Sequence, residues 1–79
     1  MRVYSIKDNL VERYMAPFYA ESDEEAIRFF KTQINTIPLW KNNANDFELY
    51  HLGNFDQKNG LYYNIEENCK IIDGRSVKE

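Results

Sequence analysis

The sequence predicts an α+β fold: an antiparallel sheet of about four strands in the order β-β-α-β-β, with one helix packed on one face. Three observations predict it. A capping signature, Ser22-Asp23-Glu24-Glu25, opens a single amphipathic helical stretch; extended apolar segments stand in pairs on either side of it; and a glycine-bearing turn joins the second pair.

Residues 1–7, MRVYSIK, alternate in the manner of a strand, and the polar Asp8-Asn9 that follows turns the chain into a second one, RYMAPFYA. Pro17 lacks an N–H, so this second strand lies at an edge or carries a bulge. The helix begins where the Ser22 oxygen meets the N–H of residue 25 and Glu25 reaches back, with three acids suiting the positive end of the helix dipole. Ile27, Phe30, Ile34 and Ile37 recur at helical spacing, and Pro38 biases Ile37 out of the helix, which gives bounds of 23–36. LWKNNAND reads as a loop pinned by Trp40. FELYHLGNF and LYYNIEE are the third and fourth strands, closed by DQKNG with Gly60 free to take positive φ; NCKIID extends the sheet.

Pairing Phe55 with Leu61 puts Phe47, Leu49, His51, Phe55, Leu61, Tyr63 and Ile65 on the core face. Tyr50, Leu52 and Tyr62 then stand on the opposite face with Glu48, Asn54 and Asn64. In the first hairpin, pairing Ile6 with Tyr14 turns Tyr4, Ile6, Tyr14, Ala16 and Phe18 inward and Val3, Lys7, Arg13, Met15 and Tyr19 outward. A one-residue slip, or a bulge at Pro17, exchanges the two sets. One helix covers one face only, so the outer face needs another cover.

Seventy-nine residues make one domain, read as residues 1–73 with a loose polar tail at 74–79, near the size at which one core gives only marginal stability without a disulfide, a metal or a partner. Cys69 is alone, which excludes a disulfide framework and points to a reducing interior. The N-terminus lacks the apolar centre of a signal peptide, and no segment holds the roughly 18 apolar residues of a membrane span. A soluble, cytosolic chain with no membrane partner is expected. The net charge of −3 gives no long-range attraction for nucleic acid, so any such contact is local. Aromatic content of 15% marks a folded chain.

Nothing in the pattern points to an enzyme. The single His and the single Cys form no nucleophile system; His51, in phase with core residues, reads as a structural histidine with hydrogen-bonded nitrogens, and Cys69 as a small, partly buried apolar residue. No metal-ligand spacing occurs, the acids at 23–25 are explained by capping, and Glu66 and Glu67 read as a solvated strand end. None of Gly53, Gly60 and Gly74 precedes a predicted helix in the manner of a phosphate loop. No cofactor and no metal are expected.

Two stretches, "YMAPFYAESDEEAIRFF" (14–30) and "NDFELYHLGNFDQKNG" (45–60), resemble the small nonstructural protein of gokushovirus-type microviruses, tailless phages with circular single-stranded DNA. The likeness rests on Ala16-Pro17-Phe18, on Glu25 to Arg28, and on Asp46, Leu49, Leu52, Gly53, Phe55 and Asp56. It covers residues 1–65, and the spacer "NTIPLWKNNAN" departs from it. The resemblance implies a protein of the host bacterial cytoplasm, outside the virion, acting in single-stranded genome synthesis and packaging.

The outer face then has two readings. In the first, the protein acts as a homodimer in which Tyr50 and Tyr62 stack the bases of single-stranded DNA while Arg2, Lys7, Arg13 and Lys41 contact phosphates. In the second, Val3, Met15, Tyr19, Tyr50 and Leu52 form an interface for a homodimer, a viral replication initiator or a host replication factor.

Overall fold

The computed structural model describes residues 1–79. The chain runs β1 (Arg2–Asp8), β2 (Arg13–Tyr14), β3 (Phe18–Ala20), α1 (Asp23–Thr36), α2 (Pro38–Asn42), a 3-10 turn (Ala44–Asp46), β4 (Phe47–Asp56), β5 (Leu61–Asp73) and α3 (Gly74–Val77). The sheet is antiparallel in the order β2-β1-β4-β5, with β3 sharing the β1 edge with β2. It has five strands rather than four because the predicted second strand breaks at residues 15–17, where Pro17 has no N–H to give the ladder.

Helix α1 spans the predicted residues. The Ser22 oxygen accepts from the Glu25 N–H at 3.2 Å, and Ile37 is extended ahead of Pro38. Ala26, Phe30 and Ile34 of α1 are buried against Tyr4, Ile6, Ala20, Phe47 and Leu49 of the sheet, with Ile27, Met15, Phe18, Ile71 and Ile72 around them. The predicted spacer loop instead contains α2, started by Pro38 at its first position; Trp40 stacks on Phe47 with ring centroids 4.6 Å apart.

A partly buried polar clamp joins the start of α1 to the sheet. The Tyr4 hydroxyl donates to Asp23 Oδ1 at 2.5 Å and accepts from Arg2 Nε at 2.8 Å, and Arg2 Nη2 lies 3.2 Å from the same carboxylate. Burial, and then the bond to Asp23, pushes the Tyr4 phenol up to about 12. His51 is buried, with Nε2 2.8 Å from the Gly53 carbonyl and Nδ1 3.3 Å from Arg2 Nη2. Arginine only donates, so Nδ1 is the acceptor and the Nε2 proton goes to Gly53. His51 is the hydrogen-bonded structural residue that its phase predicts.

The C-terminal segment corrects the reading of a loose tail. Asp73 caps α3 by accepting from the Ser76 N–H, Val77 is buried in the core, and the Asn35 amide donates to the Val77 carbonyl at 2.9 Å while its oxygen accepts from the Glu79 N–H at 2.7 Å. Gly74 is the first residue of this short helix. A Cβ there would lie 2.3 Å from the Ala44 carbonyl oxygen, so only glycine lets the segment approach. Cys69 also departs from expectation: it is exposed, because edge strand β5 runs beyond the cover of the helices.

Removing residues 74–79 is therefore expected to destabilise the fold by at least roughly 1.5–3 kcal/mol, the value of burying a valine-sized side chain, read as a lower urea midpoint. A disordered tail gives no change.

Candidate functional site: an aromatic sheet face

The face of the sheet opposite α1 carries two groups of rings. Residues that pair across an antiparallel ladder point to the same side, so the register decides which residues share it. Lys7 pairs with both Tyr14 and Glu48, Ser5 with Tyr50, Val3 with both Tyr19 and Gly53, and Phe55 with Tyr62. All of these stand on the side away from the helix.

Two irregularities produce this set. In the first hairpin the slip anticipated above occurs: Tyr14 pairs with Lys7 instead of Ile6, which turns Tyr14 outward and brings Met15 against the core. The break at residues 15–17 restores the phase, so Phe18 is inward and Tyr19 outward as predicted. In β4 the register shifts at Leu52, between the pairs Tyr4–His51 and Val3–Gly53, and this turns Phe55 out of the predicted core set. Phe55 consequently pairs with Tyr62 and not Leu61, while Leu61 and Tyr63 are about half exposed. Opposite Leu52, residues 65–68 of β5 bulge out without partners; Glu66 and Glu67 belong to this bulge rather than to a strand end.

Near one end of the face, Tyr14 meets Tyr50 edge-on with centroids 5.4 Å apart, and Lys7 Nζ stands 5.7 Å from the Tyr14 ring. Near the other, Phe55 lies 5.7 Å from Tyr19 and 4.8 Å from Tyr62, and the Tyr19 and Tyr62 hydroxyls hydrogen-bond. That bond is the main reason the Tyr19 phenol is raised. Lys7 and Val3, which pair with the two groups, are four residues apart on β1, or about 13 Å. Between the groups, Val3, Pro17, Leu52 and Tyr62 with Asn64 line a shallow cleft of about 210 Å³. Tyr14, Tyr19 and Tyr62 are 41%, 41% and 63% exposed, so flat ring area is open to solvent on a side that no helix covers.

The cations gather less well than the rings. Lys7 is beside Tyr14 and makes no ion pair, whereas Arg2 points to the opposite side, held by Asp23, Tyr4 and His51. Arg13 pairs with Asp8, in register with the core residue Phe47, on the helix-bearing side, and Lys41 sits in the last turn of α2 on that side too. Of the predicted interface residues, Val3, Tyr19, Tyr50 and Leu52 are brought together and Met15 is not. Sequence reasoning missed Tyr14 and Phe55; the signal available for Phe55 was Gly53 inside a strand pattern, which marks a bulge. A Cβ on Gly53 would lie 2.4 Å from the Tyr63 carbonyl oxygen.

Lys70, which pairs with Tyr50, bridges to Glu48 at 2.7 Å, and Tyr50 donates to the same carboxylate at 3.1 Å. The bond from Lys70, then one from Asn9, holds the Glu48 carboxyl below its ordinary 4.5, against a smaller opposing effect of burial. A carboxyl lowered by folding stabilises the protein above its unfolded value, and that contribution is lost as pH falls through the folded value. Stability is thus expected to decline on acidification below about pH 4.5, and Lys70→Met to make that decline shallower, as followed by urea midpoints against pH.

With this geometry in place, comparison with known proteins is informative at one level. No curated protein and no solved structure matches the chain. The family model described as "Phage ORF5 protein" matches residues 1–77, which takes in α3 as well as the sheet and both larger helices. The chain is a bacteriophage protein and belongs to the Phage ORF5 protein family.

Proposed function

We propose that this phage protein is a nonstructural protein acting in single-stranded DNA genome synthesis and packaging in the host bacterial cytoplasm, and that it binds single-stranded DNA on its aromatic sheet face. The observation that carries the reading is the placement of two ring groups on one side of the sheet that no helix covers. Unpaired bases stack on such rings whatever their sequence, and each stack is worth about 1–3 kcal/mol. Lys7 beside Tyr14 supplies a phosphate contact at one end. The acidic balance of the chain keeps the interaction local and weak at a distance.

Titration of a fluorescent oligothymidylate at low salt tests this. Binding is expected with a shallow salt slope of about −0.7 per phosphate contacted. Tyr62→Ala should cost about 1–3 kcal/mol and Lys41→Ala, on the other side of the sheet, almost nothing. Absence of binding by the intact protein at low salt defeats the reading.

One observation favours a second reading. On the ring-bearing face Lys70 is engaged by Glu48, and Arg2 points to the other side, so that face is poor in free cations. Such a face also suits protein docking, by a viral replication initiator or a host replication factor, through Tyr19, Tyr50 and Leu52 around the buried Val3. Here Leu52→Glu is expected to abolish capture of the phage initiator while the fold, read by circular dichroism, is kept; unchanged capture removes this reading.

A further inference from the structure

Strand β5 is the outermost strand on its side of the sheet, and one stretch of its open edge lacks the usual protection. Natural edge strands are blunted by charges, bulges or a covering element. Residues 65–68 bulge and carry Glu66 and Glu67, and the end of the strand at Asp73 runs into α3. Residues 61–64, Leu-Tyr-Tyr-Asn, have none of these: no charge, no proline, no bulge and no neighbour beyond them. Leu61, Tyr62 and Tyr63 are 50%, 63% and 53% exposed. The hairpin that carries them turns at Gly60, with φ 70°.

From this we infer that the 61–64 edge of β5 pairs antiparallel with the same edge of a second copy, joining two sheets into one. Charge complementarity points to a second copy as the occupant. A two-fold axis perpendicular to the sheet requires residues of the same facing to stand opposite each other. With Tyr62 opposite Tyr62 of the second copy, Leu61 meets Tyr63, and the hairpin tip of each copy, which carries Lys58, comes against the 65–68 bulge of the other, which carries Glu66 and Glu67. The axis repeats each of these contacts. Exposed β-prone side chains supply the apolar contact, and the main chain supplies ladder hydrogen bonds. Because the axis keeps facing, the ring-bearing sides of both copies lie on one side of the joined sheet and remain open. The inference stands independently of what those rings bind.

Sedimentation equilibrium of the intact protein across the micromolar range is the test. A reversible monomer–dimer equilibrium is expected. Lys58→Glu and Glu66→Lys should each raise the dissociation constant about tenfold, since the axis counts each change twice, and the combined variant should return to within about threefold of the parent. Leu61→Lys with Tyr63→Lys sets like charges across the pair and should leave only monomer. Lys58 and Glu66 are exposed, so circular dichroism of these variants should match the parent. A monomer at every concentration overturns the inference, and so does a dimer whose constant is unmoved by the two single charge reversals.

Discussion

The close approach of β4 to β5 at Gly53 governs the character of both sheet faces. Before it, Phe47, Leu49 and His51 point toward the helix; after it, Phe55 points away and joins Tyr19 and Tyr62. The shift depends on backbone from the two strands meeting where a side chain has no room, since any Cβ on Gly53 would collide with the Tyr63 carbonyl. One small residue thereby moves a phenylalanine from interior to surface, and a core that would otherwise be longer ends at His51. The ring groups are a consequence of where the bulge falls, and the hairpin beyond it is left without helical cover.

The interior is correspondingly short and is closed at both ends by polar devices. At one end the Tyr4–Asp23–Arg2–His51 clamp ties the start of α1 to β1 and β4, with no buried side-chain polar atom left without a partner. At the other, Asn35 and Gly74 bring the C-terminal turn against Ile34 and Ala44. A small domain with few large buried side chains depends on such end closures, because each unsatisfied group there costs as much as a lost methyl-sized contact or more.

Much of this architecture is legible along the chain, for identifiable reasons. The α1 boundaries rest on Ser22 and Pro38, signals that act within a few residues; the Gly60 turn and the break at Pro17 are local in the same way. His51 follows from its alternation with Phe47 and Leu49. What was not legible is whatever depends on a partner far away in sequence. Arg2 reads as a free surface cation until Asp23 and His51 are seen beside it, and Phe55 reads as core until Tyr63 is found pressing on Gly53. Tyr14 and Met15 exchanged sides through a one-residue slip that no pattern in so short a strand forbids. The gathering of rings on one face is thus a tertiary fact, although each ring is visible in the sequence.

The central position of β1 carries a kinetic consequence. Its neighbours on one side, β2 and β3, follow it at once, but its other neighbour, β4, arrives only after α1 and α2. Even the nearest of those pairs, Asp8 with Phe47, closes a loop at an entropic cost of about 3 kcal/mol before any contact rewards it. The two hairpins and the capped helix can form locally and quickly, while their union waits on that closure, so refolding belongs to the slower range of mixed topologies. Until it happens, β1 and β4 each present a bare ladder edge beside apolar side chains, the combination through which partly folded chains associate.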